Sequence, residues 1–211
     1  MSAPVTGAVG ATAAAAAARA GTPAIDGTRG PDGPVAFRGG TLWLTGLSGA
    51  GKTTIATAVA HELGGRPVEV LDGDELRDHL SPGLGFSRAD RDAHVTRVGY
   101  LARLLARHGV LAIVPVIAPY DEVRERIRAE HAAEGLAFEL VHVSTSLDEC
   151  SRRDVKGLYA AHAAGTVRNL TGVDDPYETP SRPDLVLDTT GQEVGASART
   201  VLAHLKEAGL A

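Results

Sequence analysis

Gly46-Leu-Ser-Gly-Ala-Gly-Lys-Thr53 satisfies the phosphate-binding pattern G-x-x-x-x-G-K-[ST] at every fixed position. The residue types point to one chemistry. Gly46, Gly49 and Gly51 let the backbone bend so that several N–H groups converge on one cavity. With the N-terminus of a following helix these donors make an anion site. Lys52 can set its ammonium on the outer phosphates of a nucleoside triphosphate, and the Thr53 hydroxyl can ligate Mg²⁺. Leu47, Ser48, Ala50 and Thr54 complete the stretch expected to surround ATP.

A second group is Asp72-Gly-Asp74, two carboxylates separated by a residue that permits a tight turn. Phosphoryl transfer needs an acceptor for the proton of the attacking hydroxyl. Asp74 is the candidate for that role, and Asp72 for a Mg²⁺ contact alongside Thr53. The alternative is that one of the pair caps a helix starting near Glu75. A third group is Arg77, Arg88 and Arg91, close in sequence to Gly85-Phe-Ser-Arg88. Arginine forks suit phosphate or sulfate oxygens. Phe86 in that glycine-rich loop could stack on a base; its alternative is a core anchor. The stretches 152–159, with Arg152, Arg153, Lys156 and Gly157, and 170–178 read as a lid able to exclude water.

Periodicity and turn residues define the elements that must position these groups. Thr41–Thr45 reads as a buried strand and Thr54–Leu63 as the helix after the loop. Pro67–Asp74 reads as a second strand, Glu75–Leu80 as a short helix and Ser81–Asp90 as loop. A long helix is expected over Arg91–His108, then strand Val110–Ile117, helix Pro119–Glu134 and strand Ala137–Val143. A helix beginning at Leu147, the lid, strand Leu185–Asp188 and helix Glu193–Glu207 complete the chain. This alternation predicts an α/β fold of the P-loop NTPase type: a parallel five-stranded sheet with helices on both faces and a lid segment. Ligands of such sheets bind outside the carboxyl ends of the strands, so Gly46–Thr53, Asp72–Asp74 and Ile117–Tyr120 should converge on one cleft.

Composition sets the outer bounds. A chain of 211 residues, 44% hydrophobic, suits one globular domain. Residues 1–34 are Ala, Gly, Pro and Thr with almost no large apolar side chains, which reads as a disordered tail preceding a domain over 35–211. The net charge of −5 gives no reason to expect a nucleic-acid partner. No stretch approaches the roughly 20 apolar residues that span a membrane. Cys150 is the sole cysteine, which fits a reducing, cytoplasmic setting. The eight histidines show no metal-ligand spacing.

Taken jointly, five stretches resemble the adenylylsulfate kinase (APS kinase) family over about residues 38–207. They are Gly46–Thr54, Leu71-Asp-Gly-Asp-Glu-Leu-Arg77, Gly85-Phe-Ser-Arg-Ala-Asp-Arg91, Arg153-Asp-Val-Lys-Gly-Leu-Tyr159 and Thr171-Gly-Val-Asp-Asp-Pro-Tyr-Glu178. The resemblance implies transfer of the ATP γ-phosphate to the 3′-hydroxyl of adenosine 5′-phosphosulfate, with Mg²⁺. It implies substrate contacts from Asp74, Arg77, Arg91, Ile117, Gly157 and neighbouring Leu158, a Phe86 stack on the adenine, a lid role for Lys156, and a homodimer. Three positions depart from the family pattern on the acceptor side. His94 stands where an Asn commonly contacts substrate, Ala118 where a Ser is common, and Leu170 where a Phe can supply the second face of the stack. Two other readings remain open: a kinase of this fold with another acceptor, and a silent nucleotide-binding regulator.

Overall fold

The computed structural model describes residues 37–211. The tail expected over residues 1–34 lies outside the described residues. Five strands form one sheet: β1 (Gly40–Thr45), β2 (Val68–Val70), β3 (Leu111–Pro115), β4 (Ala137–Val143) and β5 (Leu185–Leu187). All neighbours pair parallel, in the order β2-β3-β1-β4-β5. β1 is central and buried at all six positions, which is why Gly-Thr-Leu-Trp-Leu-Thr shows no alternation.

Helices cover both faces, as a parallel sheet requires. On one face α1 (Lys52–Glu62) and α7 (Val194–Glu207) bury Ile55, Val59, Val201 and Leu205 against Leu42, Leu44 and Val141. On the other, α3 (Arg88–Arg107) and α4 (Asp121–Ala133) bury Val95, Val98, Val123 and Ile127 against Trp43, Val114 and Leu140. At about 25 cal/mol per Å² of apolar surface, these two layers are the main stabilising contribution. Short helices α2 (Gly73–Leu80), α5 (Leu147–Arg153) and α6 (Leu158–Ala163) lie at the carboxyl edge of the sheet or follow it.

Boundaries differ from the sequence reading where caps decide them. α3 starts at Arg88 rather than Arg91, because the Ser87 hydroxyl accepts from the Asp90 amide and caps the helix. β2 is only three residues long, since it pairs on one side alone, with β3. The segment read as lid contains α6, whose first-turn amides at Tyr159 and Ala160 are taken by the Asp154 carboxylate at 3.0 and 2.9 Å. Among the described residues no helix is long and apolar enough to cross a membrane.

Candidate active site

The loop between β1 and α1 is built to leave an anion site open. Gly46, Gly49 and Gly51 all have positive φ. At Gly46 an added Cβ would fall 2.4 Å from the Val143 carbonyl oxygen, so no larger residue fits. Helices α2, α3 and α5 carry side-chain caps from Asp72, Ser87 and Ser146. Helix α1 has neither a capping side chain nor an acidic residue in its first turn. Its N-terminal amides and positive dipole end are left free for a phosphate.

The loop is braced from behind. The Thr189 hydroxyl donates to the Ala50 carbonyl (3.0 Å) and meets the Thr145 hydroxyl at 2.7 Å. Arg153 donates to the Thr189 hydroxyl and carbonyl at 2.8 and 2.9 Å. The Tyr159 hydroxyl donates to the Ser48 carbonyl at 2.9 Å. Leu47 packs into the space that a side chain at Gly172 would need: a Cβ there would lie 2.5 Å from Leu47 Cδ2. Thr145, Thr189 and Gly172 were invisible as a group because their contacts bridge distant segments.

Lys52 Nζ donates to the carbonyls of Gly46 (2.9 Å) and Leu47 (2.8 Å), so the ammonium lies across its own loop. Burial, and secondarily the charge of Lys156, lowers its pKa to about 8. The Thr53 hydroxyl donates to Asp72 Oδ2 at 3.0 Å, while Asp72 Oδ1 accepts from the amides of Asp74 (2.9 Å) and Glu75 (3.5 Å). Asp72 thus caps α2 and faces Thr53 at once. Asp74 is exposed, and its carboxylate pairs with Lys156.

These groups line one cleft of about 240 Å³, together with Ser48, Gly49, Gly51, Thr54, Arg77, Phe86, Arg91, His94, Ile117 and Ala118. The convergence expected at the carboxyl ends of β1, β2 and β3 is therefore present. Gly46 and Leu47 form the loop but do not line the cleft, and Ala50 is fully buried. Gly157 and Leu158 also stay off the cleft wall; Leu158 packs against the core beside α1. Val155, 80% exposed and on that wall, was missed. Its only sequence signal was its place beside Lys156 in the stretch read as lid.

Phe86 is 56% exposed, which excludes the core-anchor alternative. The guanidinium carbons of Arg77 and Arg91 lie 4.7 and 5.5 Å from its ring centroid. Arg77 also donates to the Gly85 carbonyl at 2.9 Å. Arg91 is buried and donates to the Phe86 carbonyl, the Thr171 hydroxyl and the Asn169 carbonyl at 2.9, 2.8 and 2.6 Å. It therefore clamps the Phe86 loop to the 169–175 loop. Arg88 is not part of this cluster: it lies over the Tyr120 ring at 4.3 Å.

His94 meets the Ser81 hydroxyl at 2.9 Å through Nδ1. Burial, and next the Arg77 charge, lowers its pKa to about 4, so it is neutral near pH 7. Leu170 is 7% exposed and belongs to the core cluster rather than to the cleft wall.

The oxygen set available to a cation is small. Among the described residues no group of three or more His, Cys, Asp or Glu could hold a metal. The Thr53 hydroxyl and Asp72 carboxylate fit Mg²⁺, which binds through one or two protein oxygens plus water and substrate phosphates.

A parallel sheet, an open phosphate loop after its central strand and an acidic turn after the next strand define a P-loop kinase. The match can be narrowed to a family. A family model described as adenylylsulphate kinase matches residues 38–188, and the chain belongs to that family. The adenylyl-sulfate kinase of Synechococcus sp. (strain JA-3-3Ab) is 48% identical over 174 residues, 82% of this chain and 97% of that one. The APS kinase CysC of Mycobacterium tuberculosis, solved in complex with AMPPNP and APS, superposes with a TM-score of 0.77. It is 44% identical, with 81% of this chain and 99% of that chain covered. A hexameric APS kinase from Thiobacillus denitrificans gives a TM-score of 0.62 at 35% identity, covering 83% of this chain and 30% of the other.

Proposed function

We propose that the domain over residues 35–211 transfers the γ-phosphate of ATP to the 3′-hydroxyl of adenosine 5′-phosphosulfate. One observation carries this reading: the phosphate loop, the Asp72–Asp74 turn and the Phe86–Arg91 cluster line a single cleft. A donor site without that acceptor wall would fit many P-loop proteins.

The loop amides and Lys52 hold the ATP phosphates; Thr53 with Asp72 would hold Mg²⁺, which would supply charge neutralisation at the transferring group. Arg77 and Arg91 face the acceptor's phosphosulfate, and Phe86 offers its exposed ring to the adenine. Asp74 accepts the 3′-hydroxyl proton as that oxygen bonds to the γ-phosphorus. The bond from the γ-phosphorus to the bridging oxygen breaks, and ADP leaves. Lys156, released from Asp74, turns its ammonium to the phosphates. A general base supplies about 10²–10⁴ in rate, whereas holding two reactants in line supplies about 7–11 kcal/mol, so positioning dominates. Self-association as a homodimer and a cytoplasmic setting belong to the same reading.

The test is a product assay with purified protein, Mg-ATP and adenosine 5′-phosphosulfate, the nucleotides being resolved by mass. A 3′-phosphorylated product supports the reading. ATP turnover or binding without that product overturns it. The alternative is a kinase of this fold with another acceptor, raised by His94, which meets Ser81, and Leu170, which lies in the core. Adenine nucleotides lacking sulfate, run in the same assay, test it.

A further inference from the structure

The turn after β3, residues 117–120, forms one wall of the cleft through Ile117, Ala118 and Pro119. Its backbone is unusual, because Ala118 has φ +43, a left-handed conformation costly for a residue with a Cβ. Such a conformation persists only where the surroundings over-determine it, and here each carbonyl is tied from outside. The Ile117 carbonyl accepts from the Thr45 hydroxyl at 2.5 Å, and Thr45 in turn meets the Tyr177 hydroxyl at 3.0 Å. The Pro119 carbonyl accepts from the Glu178 amide at 2.8 Å. The Ala118 carbonyl accepts from Arg124 at 2.5 Å.

Arg124 is the centre of this arrangement. Its guanidinium is wholly buried, and it also donates to the Glu178 carbonyl at 2.6 Å and to Asp121 Oδ1 at 2.9 Å. One fork therefore joins the turn after β3 to the end of the Thr171–Glu178 loop. With the carbonyls held away, the amides of Ile117 and Ala118 have no acceptor among the described residues. They remain available at the cleft wall.

A buried arginine is a poor device for stability alone. Replacing a buried ion pair by apolar side chains of similar volume is often neutral or stabilising. What a hydrophobe cannot do is hold two carbonyls on separate segments at fixed separation. We infer that Arg124 is a positioning residue for acceptor recognition: it touches neither substrate, but fixes the 117–120 turn that the acceptor meets. The inference rests on the acceptor proposed above.

The test compares the wild type with Arg124→Met and Arg124→Lys in the full chain, measuring KM for each substrate, kcat and thermal unfolding. Arg124→Met should raise the acceptor KM about tenfold and leave the ATP KM unchanged. Arg124→Lys keeps the charge but loses the fork. It should show the same split, and it carries the test if the methionine variant does not fold. A fall in melting temperature with both KM values unchanged, or a parallel rise in both, overturns the role. A wild type without product counts against the proposed function instead.

Discussion

The ammonium of Lys156, just after α5, pairs with the carboxylate of Asp74, at the start of α2, across the mouth of the cleft. The pair joins the lid segment to the candidate base. Both side chains are largely exposed, and exposed pairs contribute about 0–1 kcal/mol. Lys156→Ala should therefore leave the melting temperature close to wild type while lowering kcat. Asp74→Asn should lower kcat by about 10²–10⁴, the range of a general base. Unfolding curves and initial rates on the same preparations check both. Normal turnover in Asp74→Asn would remove it as the base.

Lys52 gives a pH prediction with a definite sign. Its pKa is lowered to about 8, first by burial and then by Lys156. Triphosphate oxygens favour the ammonium form and raise that pKa again. Binding an ATP analogue near pH 8 should then take up a proton, and affinity should weaken as pH rises above about 8. Calorimetry in two buffers of different ionisation enthalpy measures the uptake. No proton uptake would mean that the lysine is already fully charged in the open loop.

Phe86→Ala separates the two substrates. The ring is 56% exposed, with Arg77 and Arg91 against it, so its removal should lower stability by only about 1 kcal/mol. If it forms one face of a base stack, the acceptor loses about 1–3 kcal/mol. The expected outcome is a raised KM for the acceptor at constant KM for ATP. Equal changes in both would show that the ring supports the cleft as a whole.

Acid sensitivity follows from two buried histidines. His94 has its pKa lowered to about 4, and His131, fully buried between Thr41 and the Ile127 carbonyl, is lowered by burial as well. In the unfolded chain a histidine binds its proton near pH 6.5. Below that pH the unfolded state holds more protons than the folded one, so stability falls as pH falls. For His94 the loss runs from about 6.5 down to about 4. His94→Gln should flatten the melting-temperature profile over that window. An unchanged profile would assign the acid loss to other groups.

Much of this was legible because local pattern and global fold agree. The phosphate loop lies between a buried strand and a helix as expected, and Ala137–Val143 matches β4 at both ends. Other features were not legible, for physical reasons. Pro119–Glu134 reads as a charged amphipathic helix, and that pattern does not say that Arg124 is buried while Arg126 is not. That difference is made by residue 178 folding over from far along the chain. The start of α3 was missed although Ser87 and Asp90 form a capping pair, because Gly83, Gly85 and Pro82 made the whole stretch read as loop. Leu170 stands where a Phe of the family can supply one face of a stack, and its burial in the core depends on the path of the 164–176 segment.

Leu47 and Gly172 carry a last consequence. Leu47 belongs to the phosphate loop; Gly172 follows Thr171, whose hydroxyl accepts from Arg91. Leu47 packs closely against Gly172, so a shift of one loop is felt by the other. A connection of this kind is reciprocal by thermodynamic necessity. Whatever factor bound nucleotide applies to acceptor affinity, the acceptor must return to the nucleotide. The cleft would then respond as a gate with two inputs, and four dissociation constants closing a cycle would measure how strongly each input reports the other.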